Sequence, residues 1–353
     1  MAPGAGREAE VGGGWAVRVA AGGVRADYPV VVQRGLLASL DRLVPRYAPA
    51  HRYAVIADET VAGLYGGSVR DRLSAGGRSV GLLTFPAGER QKTRASWARL
   101  TDALLDGGFG RDSAVVALGG GVTGDLAGFV AATFLRGVPV VQVPTSLVAM
   151  IDASVGGKTG VDTSAGKNLV GAFHPPRLVA ADPEVVGTLP RAERAQGLAE
   201  AVKHGAILDA AYLDLLAEEA AVLLEGDPGA IERVVRRSVE LKADVVSGDE
   251  REGGLRQILN FGHTLGHALE AATGYRLPHG SSVSVGMVLE ARLGEALGVT
   301  EAGTASRLGA ALSALELPTE VPDGTAAALL LEFTRADKKR RAGRPRWVLL
   351  RRL

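Results

Sequence analysis

The sequence has no cysteine, only six histidines, and aromatic residues at just 5% of its 353 positions. The lack of cysteine excludes disulfides and thiolate metal ligands. No apolar run approaches the roughly 20 residues that a membrane-spanning helix needs. Forty basic residues face 39 acidic ones, so no overall charge attracts nucleic acid or a membrane surface. We therefore expect no nucleic-acid partner, no membrane partner and a cytoplasmic location.

The order of apolar patterns predicts two domains. Residues 1–14 lack an apolar core and predict a disordered tail. In 15–190, β-prone runs alternate with helical patterns, which indicates a Rossmann-like α/β domain with a parallel sheet. In 191–353, long amphipathic patterns predict a mostly α-helical domain that ends in a β-prone run, RWVLLRRL. The predicted helices are 191–206, 211–225, 229–248, 260–273, 281–297 and 302–314.

A glycine motif follows one of the predicted strands. Gly119, Gly121 and Gly124 match G-x-G-x-x-G, a pattern in which backbone N–H groups approach a pyrophosphate at a helix N-terminus. A tight strand–helix turn explains the motif equally well, because the chain has 48 glycines. No acidic residue follows about 20 positions later to bind a ribose. Gln142 is the nearest candidate there, and Asp58, at the end of an earlier strand, is the alternative.

Three of the six histidines lie close together in the second half of the chain. His263 and His267 are four residues apart and share a helix face, and His279 follows. Without cysteine, we expect the third ligand of a zinc site to be a carboxylate, and Glu200, with Lys203 beside it, is a candidate. The alternative is that these histidines have structural roles. The spacing alone does not decide which of them would bind a metal.

Several cations stand in glycine-, asparagine- or histidine-containing stretches rather than in charge runs. Lys158 and Lys167 lie in SVGGKTGVDTSAGKN, which we interpret as a glycine-rich loop able to hold a phosphate or carboxylate. For each cation taken alone, a solvated surface position is the more ordinary interpretation. The basic run ADKKRRAGRPR is interpreted as a solvated face. The cations of this group are Arg136, Lys158, Lys167, Lys203, Lys242, Arg256 and Lys338.

Longer strings across about residues 55–345 resemble the 3-dehydroquinate synthase family of the sugar phosphate cyclases. The strings are GGGVTGDLAGFVAATFLRG, QVPTSLVAMIDASVGGKTGVDTSAGKNLVGAFHPP, TLPRAERAQGLAEAVKHG, DEREGGLRQILNFGHTLGHALE and LPHG. They occur in the family's order and approximate spacing. One departure is Ser281-Ser282, where the family more often has Glu-Ala.

The resemblance implies residue roles position by position. The implied metal ligands are Glu200, His263 and His279, for one divalent ion, usually zinc, with cobalt as the alternative. The implied catalytic residues are His267, Glu252, Lys158, Lys203 and Asn260. The implied substrate ligands are Arg136, Asp152, Asn168, Lys242, Arg256 and Lys338, with Lys339 as the alternative to the last. The implied NAD-binding residues are Asp58, Thr60, Glu89, Lys92, Gly120, Gly121, Val122, Asp125, Thr145, Ser146, Asp152, Lys167 and Thr188.

The resemblance also implies the reaction, which converts 3-deoxy-D-arabino-heptulosonate 7-phosphate to 3-dehydroquinate and phosphate in the shikimate pathway. NAD is reduced and reoxidised within one turnover, so the enzyme is a lyase that eliminates phosphate. We expect a homodimer. The alternatives are a valiolone- or inosose-type cyclase, a metal-dependent NAD polyol dehydrogenase, and a non-catalytic relative.

Overall fold

The computed structural model describes residues 7–11, 14–20, 27–336 and 346–353. Lys338 and Lys339 lie outside these ranges. Within them, no helix combines the length and the apolar character that crossing a membrane requires.

The chain forms two compact units. The first contains the described residues up to Thr188 together with Lys242–Arg251, and the second contains Leu189–Leu241 and the described residues from Glu252 onward. The sequence placed the boundary at residue 190 and assigned Lys242–Arg251 to the second domain. These residues belong to the first unit because the end of their helix contacts it: Ser247 Oγ accepts a hydrogen bond from Ala20 N at 3.0 Å.

The first unit contains a mostly parallel sheet. Its strands are β1 (Arg7–Val11), β2 (Gly14–Val19), β3 (Tyr28–Val32), β4 (Arg52–Asp58), β5 (Ser79–Phe85), β6 (Ser113–Gly119), β7 (Val140–Pro144) and β10 (Leu178–Ala181), and β8 (Lys158–Thr163) and β9 (Gly166–Phe173) form a separate hairpin. Its helices are α1 (Leu40–Tyr47), α2 (Glu59–Val61), α3 (Gly67–Leu73), α4 (Arg94–Asp106) and α5 (Gly121–Thr133).

The sheet has the order β1-β2-β3-β10-β7-β6-β4-β5 in the described part of the chain. The strands from β3 to β5 are parallel, and β2 pairs antiparallel with β3. Neighbouring residues of β4 point to opposite faces of the sheet and pack into different hydrophobic cores. Val55 packs with α1 and α3, and Ile56 packs with α4 and α5. Burial on both faces explains why these strands are continuous apolar runs.

Two sequence predictions for the first unit were wrong. Arg7–Val11, predicted as part of a disordered tail, pairs with β2; the rest of residues 1–14, apart from Gly14, is not described. The stretch interpreted as a glycine-rich loop forms the β8–β9 hairpin. Its glycines weakened the strand pattern, yet they allow close backbone approach. A Cβ on Gly171 would lie 2.1 Å from Thr159 O.

The second unit is helical, as the sequence predicted. The helices are α6 (Arg191–Leu208), α7 (Ala210–Glu218), α8 (Ala220–Glu225), most of α9 (Pro228–Gly248), α10 (His263–Ala272), α11 (His279–Ala296), α12 (Thr304–Ala314) and α13 (Ala327–Ala336).

Several details of the second unit differ from the sequence predictions. The predicted helix 211–225 is divided into α7 and α8, and α13 was not predicted. Asn260 precedes α10, in a short 3-10 segment (Leu255–Asn260). The β-prone run at the end of the chain forms no strand in its described residues. Instead, Leu350 O accepts a hydrogen bond from Thr300 Oγ1, and Arg351 O accepts one from Glu301 N. Leu350 is the buried residue of this run, which has no partner strand in the described part of the chain.

Candidate active site

Glu200 and Lys203 form a buried ion pair on α6. Their side chains are 1% and 2% exposed, and the Lys203 ammonium contacts Glu200 Oε2. The three-residue spacing places both on one helix face. Within the described residues, neither Glu200 oxygen has a hydrogen bond of good geometry. A buried carboxylate of this kind keeps lone pairs available for a metal ion.

Three histidine rings cluster together, and two of them face Glu200. His263 and His267 lie on α10, with ring centroids 5.4 Å apart, and His279 begins α11, with its centroid 5.5 Å from that of His263. Both His263 Nε2 and His279 Nε2 stand 3.4 Å from Glu200 Oε1. The sequence placed His263 and His267 on one face, but only the packing of three helices brings Glu200 and His279 to them.

The separations within this cluster suit a tetrahedral zinc ion. Ligand atoms of Glu200, His263 and His279 all lie within 4.8 Å of one another. Two ligands at bond lengths of about 2.05 Å on a tetrahedral ion are separated by about 3.3 Å, close to the 3.4 Å of the two nitrogen–oxygen pairs. One carboxylate and two imidazoles are also a known donor set of catalytic zinc.

The outward nitrogens of both rings have acceptors. His263 Nδ1 stands 3.1 Å from Phe261 O, and His279 Nδ1 stands 3.5 Å from Glu270 Oε1. Acceptors behind the ring hold a ligating histidine in the tautomer and orientation that direct Nε2 to a metal. Sequence reasoning missed Glu270. Its position three residues after His267, on the same helix face, was a pattern that could have found it.

A second group of donors overlaps the first. His267, Glu270 and His279 also have ligand atoms within 4.8 Å of one another. In this group His279 would ligate through the nitrogen that faces Glu270, and Glu270 would be a ligand instead of an orienting partner. The first group is favoured because it directs the Nε2 atoms of two histidines at one buried carboxylate oxygen.

The charges of the cluster shift two pKa values. Burial disfavours ionised Glu200, but Lys203 and the two imidazoles outweigh it and hold the pKa of this carboxyl well below its usual range. Burial favours the neutral His279 ring, but Glu200 and Glu270 outweigh it and raise the pKa of His279 to about 9. A metal ion would therefore meet an ionised carboxylate and would displace a proton from His279.

Gln196 joins α6 to the first turn of α11. Its Nε2 donates to Ser281 Oγ and its Oε1 accepts from Ser281 N, both at 2.8 Å. The family departure at Ser281 thus has a structural role here. The pair ties the helix that carries Glu200 to the helix that carries His279.

Three candidate residues lie before α10. Asn260 Nδ2 donates to Glu252 Oε1 at 2.6 Å, so the amide orients the carboxylate that the resemblance assigns as a proton acceptor. Glu252 has a left-handed backbone, with φ 58°, a strained conformation that is enriched at functional sites. Arg256 is buried, with 2% exposure.

The residues proposed for NAD lie in the first unit, and most follow the carboxyl ends of its parallel strands. The strand order reverses between β4 and β6, and ligands of open α/β sheets bind at such a point. Helix α5 begins at Gly121, and its N-cap residue, Gly120, has no side chain to accept hydrogen bonds from the first amides. Its first-turn N–H groups therefore suit a pyrophosphate. After β4 lie Asp58 and Thr60; after β5, Glu89 and Lys92; after β6, Gly120, Gly121, Val122 and Asp125; after β7, Thr145, Ser146 and Asp152; after β10, Thr188; in the hairpin, Lys167.

The two ribose candidates have different surroundings. Asp58 Oδ1 accepts hydrogen bonds from Thr60 N and Val61 N, and its Oδ2 faces Thr123 Oγ1 at 3.4 Å. Asp58 therefore stands beside the glycine turn. Gln142 is buried and donates from Nε2 to Gly124 O at 3.1 Å. Gln142 thus supports the glycine turn from behind, and Asp58 is the better candidate.

Lys92 is the centre of a buried polar network. It is 4% exposed, and its ammonium contacts Asp125 and Asn168 Oδ1. Burial lowers the proton affinity of this amine, but Asp125 and Glu89 outweigh it and raise the pKa of Lys92. Asn168 N also donates to Asp162 Oδ1 at 2.8 Å. The network therefore ties the β8–β9 hairpin to α5.

The remaining cations of the first unit have varied settings. Lys242 is buried, and its ammonium stands 2.6 Å from Asp152 Oδ1. Lys167 Nζ stands 3.4 Å from Glu89 Oε1. Lys158 is exposed at the start of β8. Arg136 is also exposed, and its backbone is left-handed, with φ 70°. These residues all belong to the first unit, whereas Lys203 and Arg256 belong to the second.

Known structures with this fold include sugar phosphate cyclases. A 2-deoxy-scyllo-inosose synthase, complexed with carbaglucose-6-phosphate, NAD+ and Co2+, has a TM-score of 0.84 and 26% identity, over 92% of this chain and 88% of its own. The 2-epi-5-epi-valiolone synthase of Streptomyces hygroscopicus subsp. jinggangensis, with NAD+ and Zn2+, has a TM-score of 0.82 and 32% identity, over 91% and 88%. The fold and the donor cluster thus define a sugar phosphate cyclase.

Sequence comparison identifies the family within this class. The family models for the N-terminal and C-terminal domains of 3-dehydroquinate synthase match residues 82–196 and 197–340. A 3-dehydroquinate synthase of Symbiobacterium thermophilum is 50% identical over 324 residues, which cover 91% of this chain and 90% of the relative. The chain belongs to the 3-dehydroquinate synthase family. The sequence predicted that the chain belongs to this family and that it is a lyase, and both predictions are confirmed.

Proposed function

We propose that this chain converts 3-deoxy-D-arabino-heptulosonate 7-phosphate to 3-dehydroquinate and phosphate. The observation that carries the proposal is the cluster of Glu200, His263 and His279 in a chain of this family, with separations that match zinc ligands. The 50% identity to a relative named for this activity supports it.

Glu200, His263 and His279 would hold one divalent metal ion; zinc is assigned because two imidazoles and a carboxylate are a known donor set of catalytic zinc, and cobalt is the alternative. A bound ion of this kind supplies a Lewis acid that polarises a substrate oxygen. Phe261 O and Glu270 keep the two rings oriented. Lys203 balances the negative charge of Glu200.

The first unit would bind NAD, which supplies a hydride acceptor and returns the hydride within the same turnover. The first-turn amides of α5 would hold the pyrophosphate. Asp58 would accept hydrogen bonds from the ribose hydroxyls at the adenosine end. Thr145 and Ser146, directly after β7, add hydroxyl groups at the same edge of the sheet.

The substrate carries a carboxylate and a phosphate, so it needs several cations. We assign this role to Lys158, Lys203, Lys242, Arg136 and Arg256. Burial of Lys203, Lys242 and Arg256 strengthens their attraction for anions, because little water screens them. Lys338 lies outside the described residues, and its role as a substrate ligand stays a prediction.

Proton transfer is assigned to Glu252 and His267. Asn260 Nδ2 donates to Oε1 of Glu252, which gives the carboxylate a defined orientation. His267 neighbours the metal ligand His263 and would exchange a proton with a substrate hydroxyl. The leaving phosphate can itself take a proton during elimination, so neither residue has to act as a strong base.

Another sugar phosphate cyclase is the second candidate. The structural similarity to an inosose synthase, with a TM-score of 0.84, supports it. Lys242, Arg256 and Asn260 favour the heptulosonate phosphate instead, because we expect cyclases for substrates without a carboxylate to differ at these positions. A polyol dehydrogenase would release NADH at each turnover.

The deciding experiment uses purified protein with zinc and NAD. We expect inorganic phosphate to be released from the heptulosonate phosphate, with formation of 3-dehydroquinate and no accumulation of NADH. Metal-replete enzyme that binds this substrate without releasing phosphate would overturn the proposal. Turnover of a sugar phosphate that lacks a carboxylate would favour the second candidate, and accumulating NADH would favour the dehydrogenase.

A further inference from the structure

Glu290 is a fully buried carboxylate on α11, at 0% exposure. Its Oε2 accepts a hydrogen bond from Gly262 N at 2.7 Å, and its Oε1 accepts one from Leu265 N at 3.1 Å. Both donors belong to the start of α10. One side chain of α11 therefore holds the N-terminus of the helix that carries His263 and His267.

The start of α10 depends on this outside acceptor. Gly262 is its N-cap, with φ 78°, and has no side chain to accept the first amides. Serine, threonine or aspartate normally does this at an N-cap. A carboxylate at this end is also favoured by the helix dipole. Glu290 thus acts as a cap supplied by a neighbouring helix.

The backbones of α10 and α11 are in direct contact beside Glu290. A Cβ on Gly286 would lie 2.0 Å from Gly262 O, and a Cβ on Gly262 would lie 2.3 Å from Met287 Cγ. Gly286 is one helical turn before Glu290. With so little space between the helices, the Glu290 bonds select one rotation of α10 about its axis.

The geometry points to Glu290 as a positioning residue of the metal centre: by capping α10 from α11, it sets where His263 stands relative to His279. His263 is the first residue of α10 and His279 the first of α11. A small rotation of α10 would change the distance from His263 Nε2 to Glu200, now 3.4 Å. This inference rests on the proposed metal site.

The chain offers a matched control on the same helix. Glu295, also on α11, accepts a hydrogen bond from Ala305 N at 2.9 Å. Ala305 lies in the first turn of α12, whose N-cap Gly303 likewise has no side-chain cap. Helix α12 carries none of the proposed ligands. Both glutamates therefore cap a neighbouring helix, but only Glu290 caps one that carries a ligand.

The test compares Glu290→Gln with Glu295→Gln. Zinc affinity of the metal-free proteins is measured by competition with a chelator, and ligand geometry by the visible spectrum of the Co2+-substituted proteins. We expect both variants to unfold at lower denaturant concentration than the wild type. Only Glu290→Gln should weaken zinc binding, by roughly tenfold, and shift the Co2+ bands. Should Glu290→Gln fail to fold, Glu290→Asp, with its shorter reach, is measured instead and should weaken zinc binding in the same direction.

Equal zinc affinity and identical Co2+ spectra in the Glu290 and Glu295 variants would overturn the positioning role and leave the proposed reaction untouched. Conversely, wild-type protein that holds zinc but releases no phosphate would reject the proposed reaction, while weakened zinc binding in the Glu290 variant would still support the positioning role.

Discussion

His279 Nδ1 stands 3.5 Å from Glu270 Oε1, on the side of the ring opposite to the contact with Glu200. The imidazole is therefore held between two carboxylates, of which one belongs to the proposed ligand set and the other orients the ring. This arrangement raises the pKa of His279 to about 9, and it leads to a prediction about pH.

Zinc affinity should rise with pH. The pKa of His279 in the folded protein, about 9, is above the ordinary value of about 6.5. Protonated His279 thus stabilises the metal-free protein fully below about pH 6.5, and this contribution is lost as pH rises through 9. Between these values zinc must displace a proton, so its apparent affinity should increase by up to about tenfold per pH unit. Chelator competition between pH 6.5 and 9 measures this; a flat profile would mean that His279 does not ligate the metal.

The two overlapping donor groups make opposite predictions for single substitutions. Glu200→Ala and His279→Ala should each lose bound zinc and activity together, because each removes one of three protein donors. His267→Ala should keep its zinc but lose activity. Metal content by elemental analysis and phosphate release on the same samples separate the cases. Loss of zinc from His267→Ala, with retention in Glu200→Ala, would instead select the group of His267, Glu270 and His279.

Lys92→Met should destabilise the protein by about 3 kcal/mol, because it leaves Asp125 without its buried cation. The double variant Lys92→Met/Asp125→Asn should recover part of this loss, since no uncompensated charge remains. Lys167→Met is the matched control: its ion pair with Glu89 is more exposed and should be worth less than about 1 kcal/mol. Urea denaturation measures all three. Equal losses in the two single variants would show that the buried Lys92–Asp125 pair stabilises the protein no more than the exposed pair does.

Glu252→Gln should lower kcat by about 100-fold or more while zinc content stays unchanged, because the amide cannot accept a proton. Asn260→Ala should have a smaller effect, since it removes only the group that orients Glu252. Steady-state phosphate release gives kcat for both. An unchanged kcat in Glu252→Gln would exclude this residue from proton transfer.

The sequence was sufficient for the elements whose patterns are local. The strands β4, β6 and β7 are continuous apolar runs because both faces are buried, and the helical periodicity found α6, α10 and α11 to within about three residues of their ends. It failed at the β8–β9 hairpin, where glycine lowers strand propensity but the pairing of neighbouring backbones compensates. It also failed at the final run, where an apolar pattern was mistaken for a strand.

The sequence by itself determined the residue types of the proposed metal site: the absence of cysteine and the cluster of three histidines restricted the donors to imidazole and carboxylate. The family resemblance named Glu200, His263 and His279, but only the tertiary structure brings them together, because they lie on three helices whose relative placement has no local pattern. The contacts of Glu270 and Glu290 were likewise visible only in the tertiary structure. Their partners are a ring and two amides on neighbouring segments, and hydrogen bonds of this kind depend on how helices pack, which residue spacing does not encode.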